Sequence, residues 1–259
     1  MSAVLSHDVA RAHGGHFLLR IEDIDPGRTR EAYIAGIEDD LRWLGLDWDG
    51  PVVRQSERLP LYVAALDRLR SEGLVYPCLC TRADISRSVS APHGPEGALY
   101  PGTCRGLSDP ELDRPHAWRL DVAQAMARTG PLVWSDHGST VSARPDLLGD
   151  VVLARKDAPV SYHLAVTVDD AAQGVTDVIR GRDLFVSTHI HRLLQALLDL
   201  PTPAYAHHRL LVGPDGVRLA KRHGALSLAD LRARGVDPDE VVAAFREGRA
   251  PLGFRLAED

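Results

Sequence analysis

Residues 13–28, HGGHFLLRIEDIDPGR, decide how the start of the chain is read. Ahead of them, SAVLSHDVARA places Val4, Leu5, Val9 and Ala12 at helical spacing. Gly14-Gly15 stops that helix. HFLLRI then reads as a buried strand, and Pro26-Gly27 ends the charged run behind it. The order is helix, tight turn, strand, so His13 and His16 read as turn residues without catalytic duty. Glu22, Asp23 and Asp25 follow the strand, and the carboxyl end of a parallel strand is where such sheets place ligands. Glu22 suits an ammonium group, while Asp23 and Asp25 suit basic partners or the cap of the next helix. A solvated turn with an N-cap accounts for the same acids equally well.

Outward from this stretch, Thr29 is the predicted N-cap of an amphipathic helix, REAYIAGIEDDLRWLGL, with Glu31 in its first turn. A second helix, SERLPLYVAALDRLRSEG, closes at Gly73, and LVYPCLC is a short strand. Residues 81–115 are rich in Ser, Pro, Gly and Asp and read as an irregular insertion. HAWRLDV, PLVWSD and STVSA alternate and predict one small antiparallel unit. GDVVLAR and VTDVIRG are strands, the latter ending at Arg180, and HIHRLLQALLDL is a helix stopped by Pro201. VSYHLAVTVDDAAQG fits helix and strand alike. Short helices follow from Leu228 to Arg234 and from Pro238 to Arg246. Alternating strands and helices predict an α/β fold with a parallel sheet. The expected division is a first half at 1–77, an insertion at 78–148 and a second half at 149–259.

The net charge of −6 argues against a general nucleic-acid coat, though a local basic patch is compatible with it. No apolar run approaches the roughly 20 residues of a membrane span, and no signal-like segment opens the chain, so a cytoplasmic protein is expected. Lysine occurs only at Lys156 and Lys221 among many arginines. Three cysteines, Cys78, Cys80 and Cys104, suggest a metal more than a disulfide framework. On an extended strand Cys78 and Cys80 face the same side. Zinc prefers thiolate and imidazole, which makes His93 a candidate for the fourth position.

FLLRIEDIDPGR (17–28) and SYHLAVTVDDAAQGVTDVIRGRDL (161–184) resemble signatures of the glutamyl and glutaminyl branch of class I aminoacyl-tRNA synthetases. Over nearly its whole length the chain resembles the short form of that branch, the glutamyl-queuosine tRNA(Asp) synthetases, which lack an anticodon-binding domain. The resemblance implies a Rossmann-like catalytic domain that activates L-glutamate with ATP and Mg²⁺. It further implies transfer of the glutamyl group to queuosine in the anticodon loop of tRNA(Asp), by a monomer. Glu22, Tyr162 and Arg180 match the glutamate-contacting positions: a carboxylate for the ammonium, an oriented hydroxyl, and a guanidinium fork for the side-chain carboxylate. RLAKRHG (218–224) resembles the mobile Lys-Met-Ser-Lys-Ser loop that holds ATP, with Lys221 as the catalytic cation. Arg218 replaces that motif's first lysine, and Ala220 its serine. Cys-x-Cys…Tyr-x3-Cys resembles the family's structural zinc knuckle, which implies Tyr100 as fourth ligand beside Cys78, Cys80 and Cys104.

In that family a strand with Arg-Phe-Ala-Pro-Ser-Pro and a His-x-Gly-His motif precede the first helix. Residue 1 corresponds to a point inside that helix, so neither is expected among these 259 residues, and HGGH lies at the helix's opposite end. Two other functions stand beside the main one. The first is a weakly active remnant binding zinc and RNA or glutamate. The second is a glutamyl-tRNA synthetase fragment, which the cysteine loop disfavours.

Overall fold

Helical spacing at the chain start produces α1 (Ser2–Ala12), and the glycines end it as expected. Gly14 takes a φ of 64°. Its N–H donates to Arg11 O (3.3 Å), and that of Gly15 donates to Ala10 O (2.8 Å), closing two orphan carbonyls of the last turn. The computed structural model describes all residues except 26, 28, 88–92, 95–96, 108–111, 214, 217–225, 252–253 and 258–259; at 82, 86–87, 93–94 and 97–98 it describes the backbone alone.

In chain order the elements are α1, β1 (Arg20–Ile21), α2 (Glu31–Trp43), β2 (Val53–Arg54), α3 (Leu59–Ser71), β3 (Val75–Cys78), α4 (Arg82–Arg87), β4 (His93–Gly94) and β5 (Gly97–Ala98). There follow β6 (Ala117–Leu120), α5 (Val122–Thr129), β7 (Val133–Asp136), β8 (Ser139–Ser142), β9 (Val152–Ala154), α6 (Tyr162–Ala172), β10 (Asp177–Gly181) and α7 (Ser187–Leu197). The last are β11 (Ala204–His208), β12 (Leu211–Val212), α8 (Leu228–Ala233), α9 (Pro238–Arg246) and β13 (Arg255–Leu256). Two compact units result. One holds residues 1–55, 179–183 and 206–259; the other holds 56–178 and 184–205.

In the first unit Val4 of α1, Ile21 of β1, Ile34 and Leu41 of α2, and Val241 and Phe245 of α9 share one core. Each such side chain contributes about 1.5–3 kcal/mol by leaving water. The predicted strand HFLLRI is realised as only two ladder residues, Arg20 and Ile21, parallel to Val53 and Arg54. Before them the Asp49 carboxylate accepts from Phe17 N–H at 2.8 Å, where a ladder carbonyl would otherwise sit. Burial there alternates: Phe17 and Leu19 are buried, Leu18 exposed. Thr29 is not the N-cap of α2, which is Arg30 in extended conformation. Instead the Thr29 hydroxyl donates back to Asp25 O (2.9 Å), closing the turn.

In the second unit β6 lies between β3 and β9 in an antiparallel sheet. The β7–β8 hairpin turns through His137 and Gly138, both at positive φ, the geometry whose twist matches paired strands. It pairs in parallel with β11 at Tyr205. The three alternating segments therefore do not form one unit: β6 pairs with β3 and β9, whereas β7 and β8 join β11. Their alternation identified strands but carried no information on partners. The ambiguous run 160–174 forms α6, held to α3 and its N-cap through Asp169. This wholly buried carboxylate accepts from Arg58 Nε and Tyr62 Oη, each at 2.7 Å. Among the described residues, β1 with β2 and β7 with β11 pair in parallel, each over a short stretch.

Candidate functional site

The acidic run after β1 separates into three environments. Asp23 is 7 % exposed and faces Arg54 of β2, Nε to Oδ2 at 3.9 Å. Asp25 accepts from Gly27 N–H at 3.1 Å and shapes the turn. Glu22, directly past the carboxyl end of β1, is exposed. Arg180 sits on β10 one residue before its end, 7 % exposed. Its Nε–H donates to Nε2 of the buried His207 on β11, at 3.2 Å. Glu22 and Arg180 belong to the first unit and Tyr162 to the second. Tyr162 opens α6 and sets its ring edge-on to that of His191, centroids 5.6 Å apart. His163 Nδ1 and His191 Nε2 lie 3.2 Å apart beside it. Lys221, with Arg218, Ala220 and Arg222, lies outside the described residues. His13 and His16 occupy the turn after α1. The His13 ring bonds to Val9 O and the His16 side chain is 80 % exposed.

The cysteine cluster lies within the second unit. Although β3 ends at Cys78, the Sγ atoms of Cys78, Cys80 and Cys104 all lie within 4.8 Å of one another. Cys80 Sγ is 3.6 Å from Cys104 Sγ and 3.6 Å from Tyr100 Oη. A tetrahedral ion with metal–sulfur bonds of about 2.3 Å needs sulfur–sulfur edges of about 3.8 Å, so this donor set fits a metal. Cys104 N–H donates to Tyr100 Oη at 2.8 Å, a bond that favours a phenolate oxygen. Burial, and after it the contacts with the Cys104, Cys78 and Cys80 side chains, push the Tyr100 phenol well above its usual range, so ionising it calls for a neighbouring cation. Burial likewise lifts the Cys80 thiol to about 11. At Cys104 burial acts upward too, but the Tyr100 hydroxyl and the backbone of Leu79 and Cys80 outweigh it and bring the thiol down to about 7. The side chain of His93, the alternative fourth ligand, lies outside the described residues; its backbone forms the β4–β5 hairpin.

Sequence reasoning missed the carboxylate that braces this loop. Asp150, 2 % exposed, receives Arg105, the neighbour of Cys104, together with Tyr76 Oη and Val122 N–H. Arg119 donates to Asp150 O at 2.7 Å and stacks 3.9 Å from the Tyr100 ring centroid. The available signal was an acid, Asp150, directly before an apolar strand, in a chain whose cysteine loop has no periodic apolar pattern of its own. His207 was missed as well, because the pair His207-His208 has no distinguishing pattern.

The family described as "tRNA synthetases class I (E and Q), catalytic domain" matches residues 1–251. A glutamyl-Q tRNA(Asp) synthetase of Rhodobacter capsulatus is 50 % identical over 257 residues, covering 93 % of this chain and 91 % of the relative. One from Deinococcus radiodurans is 45 % identical, covering 100 % of this chain and 86 % of the relative. Among solved structures, a glutamate-tRNA synthetase from Elizabethkingia anophelis superposes with a TM-score of 0.69 at 27 % identity, covering 86 % of this chain. The chain spans 49 %, about half, of that longer protein. The chain therefore belongs to the class I tRNA synthetases of the E and Q branch and, within it, to the glutamyl-Q tRNA(Asp) synthetase family, as an aminoacyl-tRNA synthetase-like ligase.

Proposed function

We propose that this chain activates L-glutamate with ATP and transfers the glutamyl group to queuosine in the anticodon loop of tRNA(Asp). The observation that carries the reading is the run of glutamyl-Q relatives at about half identity across nearly the whole chain. The burial of Arg180, a guanidinium on a strand end inside a family motif, supports it.

Glu22 receives the α-ammonium, Arg180 forks onto the side-chain carboxylate, and the Tyr162 hydroxyl fixes the rest. The glutamate α-carboxylate then attacks the α-phosphorus of ATP. Pyrophosphate leaves against the Lys221 ammonium, with Mg²⁺ carried mainly by the substrate phosphates. The mixed anhydride passes its glutamyl group to a queuosine hydroxyl. Positioning and charge stabilisation do this work, with no covalent enzyme intermediate. Cys78, Cys80, Cys104 and Tyr100 would hold one structural zinc, which supplies a crosslink to a loop too polar to fold by burial. Two catalytic halves, 1–77 and 149–259, flank that insertion at 78–148, and the enzyme acts as a cytoplasmic monomer.

The test is glutamate-dependent exchange of labelled pyrophosphate into ATP in the absence of tRNA, followed by acylation. Exchange and glutamylation of queuosine-bearing tRNA(Asp) are expected. Acylation of unmodified tRNA(Glu) instead would assign the chain to acceptor-end charging. Absence of exchange would leave a zinc-binding remnant.

A further inference from the structure

We propose that His207 is the positioning residue of Arg180, the side chain that sets the glutamate fork. The proposal rests on the reading of Arg180 as the partner of the glutamate side-chain carboxylate. The two residues lie on neighbouring strands, β10 and β11, and both are buried, at 7 % and 5 % exposure. A guanidinium has five N–H donors and no acceptor. In the 3.2 Å contact between Arg180 Nε and His207 Nε2, the histidine nitrogen is therefore the acceptor and carries no proton. Its ring proton resides on Nδ1, and the ring is neutral.

Two consequences follow for the fork. A guanidinium can grip a carboxylate through its Nη1/Nη2 edge or through its Nε/Nη edge. Engagement of Nε by His207 occupies the Nε/Nη edge of this guanidinium. A neutral acceptor also orients the guanidinium without cancelling its charge, which a carboxylate in the same place would do. The surroundings leave little room for the strand end to drift. Ser6 Oγ of α1 donates to Ile179 O at 3.4 Å. A Cβ added at Gly181 would come within 2.6 Å of Asp183 Oδ1 and 2.7 Å of Leu210 Cδ2. Alternation along β11 turns the neighbouring His208 elsewhere, to Ser2 Oγ at 2.7 Å. The histidine pair thus divides between one residue on the fork and one on α1.

The experiment compares His207→Leu, which removes the acceptor at similar volume, with His207→Gln, which restores one through its amide oxygen. Glutamate affinity is read by equilibrium dialysis of labelled glutamate, and the KM values for glutamate and ATP by pyrophosphate exchange. His207→Leu is expected to weaken glutamate about tenfold, the scale of a lost hydrogen bond to a charged group, with the ATP KM unchanged. His207→Gln is expected to recover most of the loss. Unaltered glutamate affinity in His207→Leu, equal losses for both substrates, or no recovery in His207→Gln would overturn the positioning role. Arg180→Lys separates the two levels. If it weakens glutamate while His207→Leu does not, positioning alone fails. If it leaves glutamate binding intact, or if the unaltered chain binds no glutamate, the site reading fails and the positioning role with it.

Discussion

Asp169 illustrates what a single residue does in this protein. A carboxylate with no solvent exposure is tolerated in α6 because Arg58, the N-cap of α3, and Tyr62 within α3 both donate to it. The guanidinium is held charged by that contact, and the buried phenol is pushed further from ionising. Asp169→Ala leaves Arg58 without this partner and is expected to cost about 3–5 kcal/mol of stability, as breaking buried ion pairs does. Tyr62→Phe removes one hydrogen bond and is expected to cost about 1–2 kcal/mol; urea unfolding measures both. A second residue sets a pH dependence. Burial holds the His189 imidazole below its ordinary 6.5, and its Nδ1 accepts from Trp134 Nε1 at 3.2 Å, which requires that nitrogen unprotonated. As pH falls below 6.5 the unfolded chain takes up a proton that the folded ring resists. The His189 contribution is therefore complete above pH 6.5 and is lost as pH falls toward the lower folded value. Unfolding midpoints compared at pH 7.5 and 5.5 are expected to drop, and to drop less in His189→Gln.

At the scale of elements, the turn between α1 and β1 separates two readings of the same letters. HGGH is a helix stop: Gly14 supplies a positive φ, and the two histidines lie on the turn. Gly14→Ala is expected to cost about 1 kcal/mol, because a side chain is placed in the left-handed region. His13→Ala and His16→Ala are expected to leave the ATP KM unaltered in pyrophosphate exchange; a tenfold rise would return these histidines to the ATP site. The strand end at Gly181 behaves differently. There an added methyl meets Asp183 and Leu210, and Gly181→Ala is expected to cost about 1–3 kcal/mol through overpacking, measured by thermal unfolding. Helices with one apolar face, α2 and α9, were legible from spacing alone. Helix α6 was not, since Leu164, Ala165, Val166 and Asp169 are all buried and the surrounded helix shows no polar face.

At the scale of the whole molecule, the cysteine loop should respond to metal as a unit. One zinc per chain is expected by metal analysis. Chelation is expected to expose the 79–104 segment to protease, while α3, α6 and α7 keep their helical signal. Tyr100→Phe is expected to weaken zinc at least about tenfold, the lower bound for loss of even a supporting group. Protein purified without zinc, and indifferent to its addition, would refute the knuckle. What the linear chain settled by itself was local or carried by motif: α1 and its glycine stop, α2, α3 and α9, the approach of Cys78 to Cys80, and the family signatures around Glu22, Tyr162 and Arg180. Spacing and turn chemistry act over a few residues, so they are legible there. What required the folded chain was pairing between distant segments: β6 with β3 and β9, β7 with β11, Asp150 beneath the cysteine loop, Asp169 beneath α3, and His207 on Arg180. A buried charge or a strand is stabilised by whatever faces it, and alternation or a lone acid carries no address for that partner.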